Sequence, residues 1–159
     1  MEESNVVDTN VLVVANGGHP ESGEICQFAC QTLLFSLTEG HRISVDDSNL
    51  IFEEYFRNAN RSGKPGIGDA FAKWLWENQG YPSKCEKVAI GASNISECVQ
   101  FENIPDRPPF NTFDLSDQKF LSVAIGSRYA VAIHNATDSD WNMLREALPE
   151  LNLILSQTC

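Results

Sequence analysis

Two kinds of apolar pattern alternate along the chain. Residues 11–15 continue Val6 and Val7 past Asp8 in a nearly unbroken β-branched run. Such a run predicts one strand buried on both faces, as in the middle of a parallel sheet. The stretch Asn16-Gly17-Gly18-His19-Pro20 breaks it. Over 22–37, Ile25, Phe28, Ala29, Thr32, Leu33, Phe35 and Leu37 recur mainly at helical spacing, and Gly40 closes the element. A short strand over 42–45 follows. Asp47 or Ser48 then caps a helix over 49–60 with Leu50, Ile51, Tyr55 and Phe56 inward. Residues 62–69 form a turn-rich loop, and Asp69 caps a helix over 70–78 with Phe71, Trp74 and Leu75 as its stripe.

The remaining pattern is shorter. A strand is predicted over 87–90. Pro105, Pro108 and Pro109 make 100–112 a long irregular connection. Ser116 caps a helix reaching about residue 127; a strand covers 130–133; a helix over 139–148 stops at Pro149, and a last strand covers 151–155. Strands alternating with helices predict one domain over 1–159, a three-layer α/β/α fold around a parallel sheet of about four to five strands. Ligands of such folds bind outside the carboxyl ends of the strands, where strand order reverses. Loops after strands hold Asp46, Asp47 and Asp138; Asp8, read as lying within its strand, fits this less simply.

Composition changes the picture little. With 42% hydrophobic and 21% charged residues among 159, the chain is ordinary globular material. Its formal net charge of -11 disfavours indiscriminate contact with polyanions, so an RNA ligand requires a local basic strip or a partner that supplies one. Arg57, Arg61, Lys64 and Lys73 are the candidates for that strip; solvation of two helix faces explains them equally well. Five cysteines without regular spacing read as reduced, buried hydrophobes of a cytoplasmic protein. Cys26 and Cys30 share a helix face, but no second pair accompanies them and no zinc site is expected. No leader-like or membrane-spanning run is seen.

Four acidic segments carry the candidate chemistry: Asp8 in VVDTNVLVVAN, Glu53 and Glu54 in IFEEYFRN, Asp117 in DQKFLSVAI, and Asp138 with Asp140 in NATDSDW. Carboxylates delivered to neighbouring element ends repel one another unless a divalent cation fills the patch. Hard cations such as Mg²⁺ take oxygen ligands from carboxylates, water and phosphates, whereas His or Cys would favour zinc.

In the order and context of these segments the chain resembles the PIN-domain ribonuclease family, which includes many toxins of toxin–antitoxin pairs. The resemblance spans about residues 5–141 and selects Glu54 over Glu53. It implies a PIN-like parallel sheet and RNA hydrolysis with Mg²⁺ or Mn²⁺. The implied metal-holding set is Asp8, Glu54, Asp117 and Asp138, with Asp140 as a further ligand and Thr9 and Asn10 ordering the Asp8 loop. Homodimers are frequent in the family, Trp74 and Trp76 being available for that contact, and an antitoxin-like protein is the other implied partner. Trp141 stands where Phe is more usual and Ala136 where Thr is common. The competing expectation is a PIN-like scaffold that binds protein or RNA without hydrolysis; all four acidic positions being filled weighs against it. Plainer roles exist for each acid: Asp117 and Asp138 as helix caps, Glu54 as a solvated helix residue beside Arg57. A phosphate-receiver reading of Asp46 and Asp47 fails because the paired acids of receiver domains follow the first strand whereas this pair falls near residue 46, and an aspartyl-phosphatase reading fails because Asp8-Thr9-Asn10 lacks a second acid.

Overall fold

The computed structural model describes residues 2–95 and 98–159, the side chains of 92–100 excepted. In chain order the elements are β1 (Glu3–Val7), α1 (Thr9–Ala15), α2 (Glu24–Leu37), β2 (Ile43–Asp46), α3 (Leu50–Asn58), α4 (Ile67–Asn78), β3 (Cys85–Val88), β4 (Ala92–Ile95), β5 (Cys98–Phe101), α5 (Gln118–Gly126), β6 (Ala130–Asn135) and β7 (Leu153–Gln157). Five strands form a parallel sheet in the order β3-β2-β1-β6-β7, flanked by helices as a three-layer α/β/α fold. α1, α2 and α4 pack on one another, and α5 lies against β1, β2 and β6. Among the described residues no helix is long and apolar enough to cross a membrane.

The opening β-branched run is two elements and not one strand. Asp8 adopts an extended backbone (φ -65°, ψ 143°) and its side chain accepts a hydrogen bond from Asn10 N, so the residue caps α1. Val and Ile cost only tenths of a kcal/mol in a helix, and burial of Val11, Leu12, Val14 and Ala15 outweighs that preference. Asp8 therefore sits past the carboxyl end of β1. That is where the general rule for parallel sheets puts a ligand-facing residue.

Other boundaries shift for local reasons. Asn49, left-handed and without a side-chain cap bond, holds the position before α3, and it is Asp46, not Asp47 or Ser48, whose carboxylate accepts from Ser48 N, Leu50 N and Ile51 N at 2.8–3.0 Å. Asp69 lies inside the first turn of α4 and ties down the preceding loop, accepting from Gly66 N at 2.8 Å and Asn60 N at 2.7 Å. The 100–112 stretch is not wholly irregular, because β5 pairs antiparallel with β4 and Phe110–Thr112 forms a 3-10 turn. Asp117, not Ser116, occupies the position before α5. The helix expected over 139–148 is a pair of 3-10 turns, Ser139–Leu144 and Leu148–Leu151.

On α2 the inner face is Cys26, Cys30, Leu34 and Leu37, while Ile25, Phe28 and Phe35 of the expected pattern are exposed. The cysteine expectation is also corrected. Cys26 and Cys159 form a disulfide that ties the segment after β7 to α2, and among the described side chains Cys30 and Cys85 are buried free thiols.

Candidate functional site

β2 and β3 extend the sheet on one side of β1, and β6 and β7 on the other. The reversal lies between β1 and β6, whose ends are in register with Val7 opposite His134. Asp8 follows β1, and Asp138 follows β6 as the cap of the Ser139–Leu144 turn. Asp117 is brought over from the start of α5, and its carboxylate makes no capping bond. Asp8, Asp117 and Asp138 each offer an oxygen, and those oxygens all lie within 4.8 Å of one another.

The two loops are stitched together. Asn10 Nδ2 donates to Asn135 Oδ1 at 2.8 Å, and Asn10 Oδ1 accepts from Ala136 N at 2.8 Å. Asn135 Nδ2 in turn donates to the Asp138 carbonyl at 2.8 Å. Asp8 is held at both oxygens, Oδ1 accepting from Asn10 N at 3.0 Å and Oδ2 from Trp141 Nε1 at 2.6 Å. Thr9 donates its hydroxyl to Glu54. These contacts rest on short polar side chains at the strand ends, which trade solvent for partners a long way off in sequence.

Crowding shows in the electrostatics. Burial, with help from Asp8 and Asp138, raises the Asp117 carboxyl from 3.8 to about 9. Burial raises Asp8 to about 6, opposed by the Asn10 and Trp141 hydrogen bonds and reinforced by Asp138 and Glu54. Asp140, exposed, is raised chiefly by Asp138. Near neutral pH the cation-free cluster therefore keeps a proton on Asp117, because three carboxylates this close cannot all ionise without a counter-charge. Oxygen donors grouped this way, with no His or Cys among them, fit Mg²⁺ or Mn²⁺.

Two expected ligands stand apart from this trio. Glu54 pairs with Lys119 Nζ at 2.7 Å, both side chains being mostly buried, and is not in the close group. Asp140 joins a second group with Asp114 and Asp117. Asp114 and Lys119 were not singled out from the sequence. Both flank Asp117 in DLSDQK, and the turn that brings Asp114 back to the cleft is visible only in three dimensions: Asp114 accepts from Ser116 N at 3.2 Å. A groove of about 480 Å³ beside this turn is lined by Phe101, Glu102, Ile104, Pro105, Asp106, Asn111, Leu115 and Gln118.

Trp141 is the other residue whose role the sequence left open. Its ring is fully buried against Phe113, and its indole N–H is spent on Asp8. Trp141→Phe keeps the apolar body and deletes that donor. It is expected to cost about 1–3 kcal/mol, the penalty for a buried acceptor losing its partner, and to weaken divalent-cation affinity about 10–100-fold, as loss of a group orienting a ligand does. Chemical denaturation and Mn²⁺ titration of the variant measure the two effects separately. Compared with protein-family models, with curated proteins and with solved structures, the chain matches none. What the fold and this cluster define is thus an α/β protein with a carboxylate patch at the sheet's switch point.

Proposed function

We propose that the chain is a metal-dependent ribonuclease of PIN type, hydrolysing RNA phosphodiester bonds with Mg²⁺ or Mn²⁺ held by Asp8, Asp117 and Asp138. The observation that carries this reading is the approach of those three carboxylates, from distant parts of the sequence, to within 4.8 Å at the carboxyl ends of adjacent parallel strands. A divalent cation held there would supply a Lewis acid for the phosphate and would lower the pKa of a water nucleophile. The protein's own part is to hold the oxygens in place. Asn10 and Asn135 fix the loops, Trp141 orients Asp8, and Asp117 would release its proton to hold a cation. Asp140 stands at the open side for a further ligand role, and Glu54, positioned by Thr9 and Lys119, borders the site.

For an RNA path to the cluster, Arg57, Arg61 and Lys64 are the basic groups to test; Lys73 is already paired with Glu77 at 3.7 Å. The reading sets the protein in the cytoplasm and makes a homodimer and an antitoxin-like protein the partners to seek. The whole chain incubated with single-stranded RNA is expected to cleave it with Mn²⁺ or Mg²⁺ and not with chelator. The second reading, a binding module without hydrolysis, is favoured by the Lys119–Glu54 pair, which already occupies one of the four expected acids. RNA bound but uncut in the presence of either cation selects it.

A further inference from the structure

A second group of ligand-type side chains lies outside the carboxylate cluster and shares no residue with it. Cys26 and Cys30 are one turn apart on α2, both buried, and Cys159 lies beyond β7 and is exposed. Cys26 and Cys159 are disulfide-bonded, Cys30 Sγ is 3.9 Å from Cys159 Sγ, and all three sulfurs lie within 4.8 Å of one another. We propose that, once the disulfide is reduced, Cys26, Cys30 and Cys159 form a three-thiolate site for one Zn²⁺ ion.

The triangle distinguishes this from a thiol–disulfide relay. Attack by Cys30 on Cys159 needs its sulfur on the extension of the Cys26–Cys159 bond, which would set it about 5.9 Å from Cys26 Sγ given a bond near 2 Å. All three sulfurs lie inside 4.8 Å, so Cys30 stands to the side of the bond. Thiolates about 2.3 Å from a tetrahedral zinc are ~3.8 Å apart. The 3.9 Å edge between Cys30 and Cys159 already has that length. The edge closed by the disulfide must open by somewhat under 2 Å, and Cys26 Sγ already stands within 4.8 Å of Cys30 Sγ. The exposed side of Cys159 leaves the fourth zinc position to water.

The steps balance. A dithiol reductant gives two electrons and two protons to the disulfide and becomes a disulfide itself. Zinc then displaces the thiol protons to solvent. Oxidation closes the site and reduction opens it, so zinc loading follows the redox state.

The test uses the whole chain, reduced, loaded with Zn²⁺, dialysed against a weak competing chelator and assayed for bound metal and for alkylation of each cysteine. One retained zinc per reduced chain is expected, none per oxidised chain, with Cys26, Cys30 and Cys159 protected from alkylation relative to the zinc-free reduced chain. Cys30→Ala should lose the retained ion, and Asp138→Asn should keep it, which separates this site from the carboxylates. A reduced parent that retains no zinc overturns the proposal. So does a Cys30→Ala chain that retains as much, or retention that depends on Asp138. Should Cys30→Ala fail to fold, protection of the three cysteines in the parent decides, and unprotected cysteines count against the site.

Discussion

Asp138→Asn is expected to reduce metal-dependent RNA cleavage at least about 100-fold while the metal-free protein melts no lower than the parent. Its structural work is modest: Oδ1 accepts from Asp140 N at 2.9 Å as the cap of a short 3-10 turn. Asn caps about as well as Asp, so that bond survives the change. What disappears is a charge beside Asp8 and Asp117, each of which Asp138 pushes upward. Relief of like-charge repulsion leaves the metal-free fold unharmed or stabilised. Groups that merely orient metal ligands typically cost 10–100-fold when lost, so a ligand itself should cost at least the upper end of that range. Cleavage rate, Mn²⁺-induced shift in Tm and metal-free Tm together separate the roles. Parent-level cleavage would remove Asp138 from the chemistry, and an unfolded variant would assign it to the scaffold.

Stability should fall with rising pH without the cation and stay nearly level with it, because the cation-loaded fold no longer carries the Asp117 proton. The Asp117 carboxyl has its folded value raised to about 9 from 3.8, so the folded state holds a proton that the unfolded state has released. A raised carboxyl contributes stability that is full below its unfolded value and is lost as pH rises through its folded value. From about pH 6.5 to 9 the metal-free protein should therefore lose stability, by at most about 1.4 kcal/mol per pH unit from this one proton. For a chain of this length that is a few °C of Tm per unit. Asp8, raised to about 6, acts in the same direction but lower in pH. His134 opposes it there: burial lowers its value to about 4, so the neutral folded ring loses stability as pH falls below its usual 6.5. The clean window is thus above 6.5. Mn²⁺ at a hundredfold excess over its dissociation constant should add ~2.7 kcal/mol, and that gain should grow with pH as Asp117 releases its proton more readily. A metal-free Tm that rises between pH 6.5 and 9, or a Mn²⁺ shift indifferent to pH, would count against the protonated cluster.

The sheet was legible in the sequence because strands and helices announced themselves by different periods and by turn residues between them. What failed was the boundary at Asp8, where β-branched residues continue through a strand end into a helix. Val11 and Val14 carry strand-like propensity, but the hydrogen bond from Asn10 N to Asp8 starts a helix and burial then sustains it. The error mattered for the site: moving Asp8 from inside a strand to the strand's end puts it next to Asp138. β4 and β5 went unseen because their pairing partners are each other and not the main sheet. The exposed Ile25, Phe28 and Phe35 misled the inward face of α2, since helical spacing fixes a stripe but not the side it faces.

Within the site, the acidic positions could be read from local motifs, but their separation into a close trio and two outliers could not. Glu54 looks equivalent to the others until Lys119, which the sequence puts two residues past Asp117, is seen to pair with it. Trp141 is apolar by composition, yet its indole N–H supports Asp8. Cys159 lies 133 residues from Cys26, and no spacing rule links so distant a pair.

The central claim is that Asp8, Asp117 and Asp138 together hold a divalent cation. A crystal of the chain soaked in millimolar Mn²⁺ and measured for anomalous scattering tests it directly. A manganese peak within ligand distance of oxygens from all three residues is expected. No peak there at a pH above 8, where Asp117 gives up its proton most easily, would contradict it.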